Sequence, residues 1–497
     1  MSDIASRKRV VVIGGGITGL VTCYRLHRQA SERALPLDMT LLEAGERVGG
    51  MLATTHTAGA LLEHGPDCFI THKPWGVQLC EALELHEEMI STTTEHRRSF
   101  IVRDGKLCPV PQGLYLMIPG SFWSFAASPL MSWRGKLRMG LDLVLPRRAP
   151  PPRAPGPIAR EIEADDESLA QFVTRRLGRE ALERIAQPMV GGIYTADPAK
   201  LSLRATMPQF LDMEQRHGSL IRALLHQQRQ ARQEGVSGPR YGLFASFRHG
   251  MQTLADRLES CLPAEMIRLQ TRAAGVERQP QESSWRIELE DQSHIKADAV
   301  CLALPAPKAA SLLRAVDAEL VSEMQIPYAS SAIMNIVLRR RDIAHPLNGM
   351  GFVVPAVEHR ALIACSFSSV KFAGRAPEGQ VLLRAFIGGA MQPEQFEQSD
   401  EEIQRVVLHD LRQLLGVSGE PLHVSLRRWP QSMAQYHLGH VQRVARIESL
   451  VSRLPGLVLA GNAYRGVGVP DCIRSGNEAA QTVLDYLDMA PCFQSPT

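Results

Sequence analysis

The feature that most narrows the fold is a run of glycines near the start of the chain, Gly14, Gly15, Gly16 and Gly19, set between an apolar stretch and a helical one. Val10 to Ile13 reads as a strand, and Ile17 to about Gln29 has helical spacing. A second strand, Met39 to Glu43, completes a strand–helix–strand unit of about thirty residues. Glycine at 14, 16 and 19 lets the backbone approach a pyrophosphate at the positive end of the helix, with Ile17 and Thr18 in its first turn. Glu43, 24 residues beyond Gly19, stands where a carboxylate can accept hydrogen bonds from an adenosine ribose. The expectation is an α/β, Rossmann-like domain that holds a dinucleotide.

A chain of 497 residues exceeds what one core supports, so two or three lobes are expected. The dinucleotide-binding domain is expected to be discontinuous, from 1–75, 240–310 and 430–497. Apolar residues at helical spacing, such as Val77, Leu79 and Leu83, then Phe172 and Val173, mark 76–239 as an inserted helical lobe. Strand-like runs Ala332 to Leu338, Gly351 to Val354, Leu362 to Ser366, Val381 to Ile387 and His423 to Leu426 make 311–429 a substrate domain around a largely antiparallel sheet.

The balance of 55 basic against 52 acidic residues excludes a nucleic-acid partner. Nine scattered cysteines without a CxxC pair read as reduced, intracellular thiols, and no metal site is expected. Arg7, Lys8 and Arg9 run straight into a strand rather than a signal segment, so a cytoplasmic protein is expected. Gly113 to Trp133 carries no charge, but Pro119, Gly120 and Pro129 would break a membrane span, which leaves a broken, interfacial or core helical segment. Cations follow it: Arg134, Lys136, Arg138, Arg147, Arg148, Arg153 and Arg160. That pattern suits peripheral docking on anionic lipid at the inner face of the cell membrane, or a solvated face of the lobe. Pro146 to Pro157 reads as a mobile linker.

Glu43, Arg47, Gly49 and Gly50 together resemble the extended fingerprint of the flavin-dependent amine oxidase superfamily, which implies FAD rather than NAD. By that resemblance Gly49, Gly50 and Met51 pass close to the flavin half of the cofactor, with Arg47 nearby. Glu63 to Asp67 is similar to the superfamily's flavin-lining turn, which brings Gly65, Pro66 and Asp67 to the cofactor. His64 reads as a packing or hydrogen-bonding residue sooner than an acid or base. Gly461 to Gly476 is similar to the closing motif of protoporphyrinogen and coproporphyrinogen oxidases, and brings Gly461, Asn462, Val467, Gly468 and Val469 to the flavin. A glycine-rich loop feeding a helix capped by Asp471 would aim amides and a positive dipole at the ring's N1/C2 edge. Pro188 to Leu203 and Trp429 to His440 resemble two more stretches of that family; Trp429 joins the cofactor set, and Ala273 falls where the family's backbone meets the adenine.

The resemblance implies FAD-dependent oxidation of a porphyrinogen to a porphyrin in heme biosynthesis, in three two-electron rounds. Dioxygen or another acceptor would take the electrons, giving hydrogen peroxide in the dioxygen case. It leaves protoporphyrinogen IX and coproporphyrinogen III open as substrate, and the next heme-pathway enzyme as a possible partner. Human-type members carry an Arg just before the strand that begins at Phe100, where this chain has Ser99; Lys73 and Arg98 are therefore the candidate partners of the substrate carboxylates. Cys472 is expected to be a packed thiol with FAD held non-covalently. A carotenoid desaturase or amine oxidase shares both nucleotide motifs, and a FAD-fold protein turned binding module is the alternative of another class.

Overall fold

The structure is a computed structural model and describes residues 7–111, 114–115, 117–119, 121–148, 166–233 and 243–489. Its first layer is a five-stranded parallel sheet in the order Ile267–Arg268, Leu37–Leu42, Lys8–Ile13, Ala299–Leu302, Leu457–Leu459. From Val10 to Ile13 the central strand is apolar and buried, because both its faces are covered there. Val10 and Val12 pack with Leu20, Val21 and Ile473 on the side of the helices Ile17–Glu32 and Val469–Met489. Val11 and Ile13 pack with Val276, Trp285 and Ile287 of an antiparallel three-stranded sheet, Ala273–Gln279, Ser284–Leu289 and His294–Ala297. Each such buried side chain contributes about 2 kcal/mol.

The first and last helices lie against each other at Gly476, where a Cβ would come within 2.7 Å of the Thr18 carbonyl oxygen. The last helix begins at Val469, so Asp471 sits inside its first turn rather than at its cap. Its carboxylate still accepts from the Gly468 N–H at 3.2 Å, reaching back over the turn as a third helical residue can.

The second sheet has seven strands, in the order His423–Ala434, Tyr328–Arg339, Gln380–Gly388, Leu362–Phe367, Gly351–Val353, Phe100–Arg103, Lys106–Pro109. All its pairings are antiparallel except that of Gly351–Val353 with Phe100–Arg103. Met334, Ile336 and Leu338 face the helix Asp400–Leu415, meeting Ile403, Val407 and Leu411. The alternate residues of the same strand face the other way, and Ser331 and Ile333 open onto a cavity.

Two strands of this sheet, Phe100–Arg103 and Lys106–Pro109, come from the stretch expected to be helical. The signal was present in the sequence: Asp104 and Gly105 both take positive φ, 50° and 72°, and close a two-residue hairpin after the buried Phe100, Ile101 and Val102. Met89–Ser91 is likewise a strand, paired with Phe244–Phe247. Helices do dominate from Leu169 on, where Phe172, Ile185, Phe210 and Leu220 share one core.

The uncharged stretch is broken, as its prolines require: Phe122–Ala127 and Trp133–Gly140 are separate helices, with Phe125, Met131 and Met139 buried. Outward they expose Trp123 at 80%, Trp133 at 68% and Leu137 at 72%, and Val144 follows at 73%. Of the cations counted there, Lys136 donates to the Ala126 carbonyl at 2.7 Å and Arg138 to the carbonyls of Thr174, Arg175 and Arg176, so these two serve packing. Among the described residues no helix is long and apolar enough to cross a membrane. The proline-rich stretch beyond Arg148, with Arg153 and Arg160, lies outside the described residues.

Candidate functional site

One cavity of about 2570 Å³ runs from the glycine turn of the first sheet to the open face of the second. At its first end Gly14 has φ +109°, and a Cβ there would lie 2.5 Å from the Ala303 carbonyl oxygen. A Cβ on Gly19 would lie 1.9 Å from the Gly14 carbonyl oxygen, so the turn and helix close on each other only with glycine at both places. Gly16, by contrast, has nothing within 4 Å of such a Cβ, because it fronts the cavity. The helix it opens has no side-chain cap and no acidic residue in its first turn, which leaves its positive end open to an anion.

Glu43 follows the strand Leu37–Leu42 and braces this turn. Its two carboxylate oxygens accept from the Gly15 and Gly45 N–H groups, each at 2.7 Å. Its own carbonyl accepts from the Thr271 N–H at 2.9 Å, which brings Ala273 alongside on the cavity wall. The Gly49–Gly50 turn lies over the first, with Gly49 N–H donating to Gly15 O at 2.8 Å. Arg47 fixes it by donating to the carbonyls of Val48, Leu52 and Gly50 at 2.8–2.9 Å. These groups suit a dinucleotide: an uncapped helix end for a diphosphate, and a carboxylate with lone pairs left for ribose hydroxyls.

Further along, the turn Glu63 to Asp67 is held from behind. Arg384 donates to Gly65 O, and Trp429 Nε1 donates to His64 O at 2.5 Å. Asp67 lines the cavity, but its carboxylate is taken by Lys371 at 2.9 Å and by Arg384 at 3.6 Å. Burial alone would raise its pKa; the two cations more than offset that and hold it well below the usual carboxylate range. His64 lies outside the cavity wall, shares a hydrogen bond with Thr55 Oγ1 at 2.7 Å, and is held below its ordinary pKa by burial and by Arg427, Arg384 and Arg47. That is the environment of a neutral packing histidine.

Sheet register composes the far wall. Ile333 lies opposite Phe386 on one side and Arg427 on the other, and Ser331 lies opposite Trp429. Arg384 is two residues from Phe386 on the same face, its guanidinium 4.8 Å from that ring. Arg427 stacks 5.1 Å from the Trp429 ring, and its guanidinium has no carboxylate or carbonyl partner among the described residues. The sequence reading missed both arginines, although each stands two residues before an aromatic in a strand, the spacing that puts both on one face.

The two cations proposed from sequence fare differently. Lys73 lines the cavity, but its Nζ sits 2.7 and 2.6 Å from the carboxylate oxygens of Asp471, so its charge is already matched. Arg98 is exposed and lies off the cavity wall, because its strand enters the second sheet near the edge remote from Trp429. Gly15 and Gly19 also stay behind the lining and act on the turn. The other residues singled out for the cofactor, from Gly14 to Val469, line the one cavity. Cys472 does too, and burial pushes its thiol up to about 12, which makes it unreactive at neutral pH.

Comparison with known proteins places these features in a family. The family model for flavin containing amine oxidoreductase matches residues 17–484. Coproporphyrinogen III oxidase of Bacillus subtilis (strain 168) is 34% identical over 490 residues, covering 98% of this chain and 100% of that protein. Mitochondrial protoporphyrinogen oxidase of Nicotiana tabacum is 27% identical over 511 residues, covering 97% and 96%. The crystal structure of a protein assigned as a protoporphyrinogen oxidase of Exiguobacterium sp. 255-15 superposes with a TM-score of 0.82 at 31% identity, covering 98% of this chain and all of that one.

Proposed function

Because the chain belongs to the flavin containing amine oxidoreductases, we propose that it oxidises coproporphyrinogen III to the porphyrin with FAD in its cavity, as a step of heme biosynthesis. The observation that carries this reading is the single continuous cavity, with a dinucleotide turn at one end and an apolar sheet face bearing Arg427 at the other. Its volume is more than twice that of an ordinary small-molecule pocket, which leaves room for a cofactor and a macrocycle together. Between the two tetrapyrroles, 34% identity to the Bacillus subtilis coproporphyrinogen III oxidase against 27–30% to the plant protoporphyrinogen oxidases favours coproporphyrinogen III.

Bound FAD supplies two-electron acceptance, so three rounds cover the six electrons between porphyrinogen and porphyrin, with dioxygen as final acceptor and hydrogen peroxide as product. The chain's part is binding and orientation. The uncapped helix at Ile17 takes the diphosphate, Glu43 the adenosine ribose, and the loop from Gly461 to Val469 the flavin edge. Ile333 and Phe386 offer apolar contact to the macrocycle. Arg427 takes a peripheral carboxylate, the role the sequence reading gave to Lys73 and Arg98. No side chain on the wall is needed as a base, and the cofactor is held non-covalently beside an unreactive Cys472.

We infer in addition that Trp123, Trp133, Leu137 and Val144 rest on an anionic lipid surface, with Arg134 beside them. Four large apolar side chains exposed within a short stretch exceed the scattered exposure of an ordinary surface. Flotation of the holoenzyme with anionic vesicles tests this, and equal flotation by a Trp123→Ser/Trp133→Ser variant refutes it. The activity is tested by mixing holoenzyme with each reduced tetrapyrrole and following the onset of porphyrin fluorescence. Oxidation of neither above the uncatalysed rate refutes the assignment.

A further inference from the structure

The run Trp429 to His440 includes two buried residues that no step above uses, Tyr436 and His440. Tyr436 lies just past the strand His423–Ala434, and His440 opens the helix His440–Val451. The phenol oxygen of Tyr436 bonds twice to the glycine loop: it donates to Asn462 O at 2.7 Å and accepts from Gly466 N–H at 2.7 Å. The imidazole of His440 lies flat on the phenol ring, 3.9 Å between centroids and 12° between planes. One ring nitrogen, Nε2, lies 2.9 Å from Tyr464 O. A carbonyl only accepts, so Nε2 carries the proton. One stacked pair thus holds three backbone atoms of a five-residue segment, at 462, 464 and 466.

That segment cannot hold itself. Gly466 has φ +124°, and a Cβ there would fall 2.4 Å from the Asp471 side chain, so the position must be glycine and gains no side chain that could lock it. Gly461 and Gly468 add further freedom on either side. The loop is nevertheless the wall of the cavity that leads into the helix Val469–Met489, and its amides can favour charge on a bound ring only if they are fixed beforehand. The surrounding contacts support the same task. Asn462 Oδ1 accepts from Tyr328 OH at 3.2 Å, and Asn462 Nδ2 donates to Ser432 O at 3.3 Å.

We propose that Tyr436, backed by His440, is a positioning residue that fixes the 461–468 loop against the flavin and so sets the electronic environment of the bound ring. This rests on FAD occupying the cavity, but not on the identity of the substrate.

Tyr436→Phe removes one oxygen and keeps the ring and its stack. In the holoenzyme it should shift the visible absorption and circular dichroism of the flavin. It should also lower the two-electron midpoint potential by about 30 mV, which corresponds to a tenfold loss of preference for the reduced form. With porphyrinogen, kcat should fall while KM stays near the parent value. A flavin spectrum and potential equal to the parent's overturn the proposal, whatever happens to turnover. Should Tyr436→Phe fail to fold with FAD, His440→Gln is measured instead. It keeps an N–H donor for Tyr464 O but loses the stack, and the same spectral and potential shifts are required of it. If the parent holoenzyme oxidises no porphyrinogen, the proposed function fails, whereas the flavin spectrum and potential still judge Tyr436.

Discussion

Glu43→Gln separates the two jobs assigned to that carboxylate. In the structure each oxygen accepts one backbone N–H at 2.7 Å, from Gly15 and from Gly45. The amide keeps one acceptor and turns an NH₂ group toward the other N–H, so one charge-assisted bond is lost and a donor is left facing a donor. Such a bond is worth about 1.5–3 kcal/mol, and most of that loss falls on the folded protein with or without ligand. The ribose contact is separate, because exchanging a charged acceptor for a neutral one weakens it by about 1–2 kcal/mol, or about 5–30-fold in affinity. Titration of the apoprotein with FAD and with FMN, followed by flavin fluorescence, resolves the two. FMN lacks the adenosine half, so its affinity should stay at the parent value while that for FAD falls. Equal losses for FAD and FMN, or no loss for FAD, would falsify the placing of the ribose at Glu43.

Arg427→Gln should raise the KM for coproporphyrinogen about 5–30-fold with kcat little changed, the pattern of a lost carboxylate contact worth about 1–2 kcal/mol; an unchanged KM removes Arg427 from substrate binding. Lys73→Met strands the buried carboxylate of Asp471, and with Lys73 itself a third exposed the cost should be about 1–3 kcal/mol in urea unfolding. Adding Asp471→Asn should recover part of that loss, and purely additive effects would show that the pair is not coupled. Burial lowers the pKa of His440 from 6.5 to about 4, so the unfolded chain takes up a proton there before the folded one does. Stability should therefore be complete above about pH 6.5 and decline toward pH 4, with His440 accounting for about 3 kcal/mol of the decline. Urea midpoints measured against pH for the parent and for His440→Gln should diverge over that window, and parallel curves contradict the assignment.

What could be read from the chain was what lies close together along it. Gly14, Gly19 and Glu43 belong to one strand–helix–strand unit, so their spacing alone fixes how turn, helix end and carboxylate meet. The apolar run Ala332 to Leu338 likewise announced a strand of the second sheet, although which of its faces meets a helix came only with the fold. The hairpin at Asp104 and Gly105 was as legible but was submerged in a longer helical pattern, because a short strand carries too few residues to outweigh its surroundings.

Other features depended on packing between distant segments. Lys73 looked like a free cation until folding set it against Asp471, 398 residues away. Arg384 and Arg427 share a wall only through the register of strands that pair across the second sheet, and Tyr436 acquires its role only where it meets the loop at Asn462 and Gly466. The sequence by itself determined the dinucleotide turn, since the steric demands of glycine and the reach of Glu43 are local. Tertiary structure alone decided which charges stay unpaired for a substrate, because the charge of a side chain is available to a ligand only after every protein partner within reach has been counted.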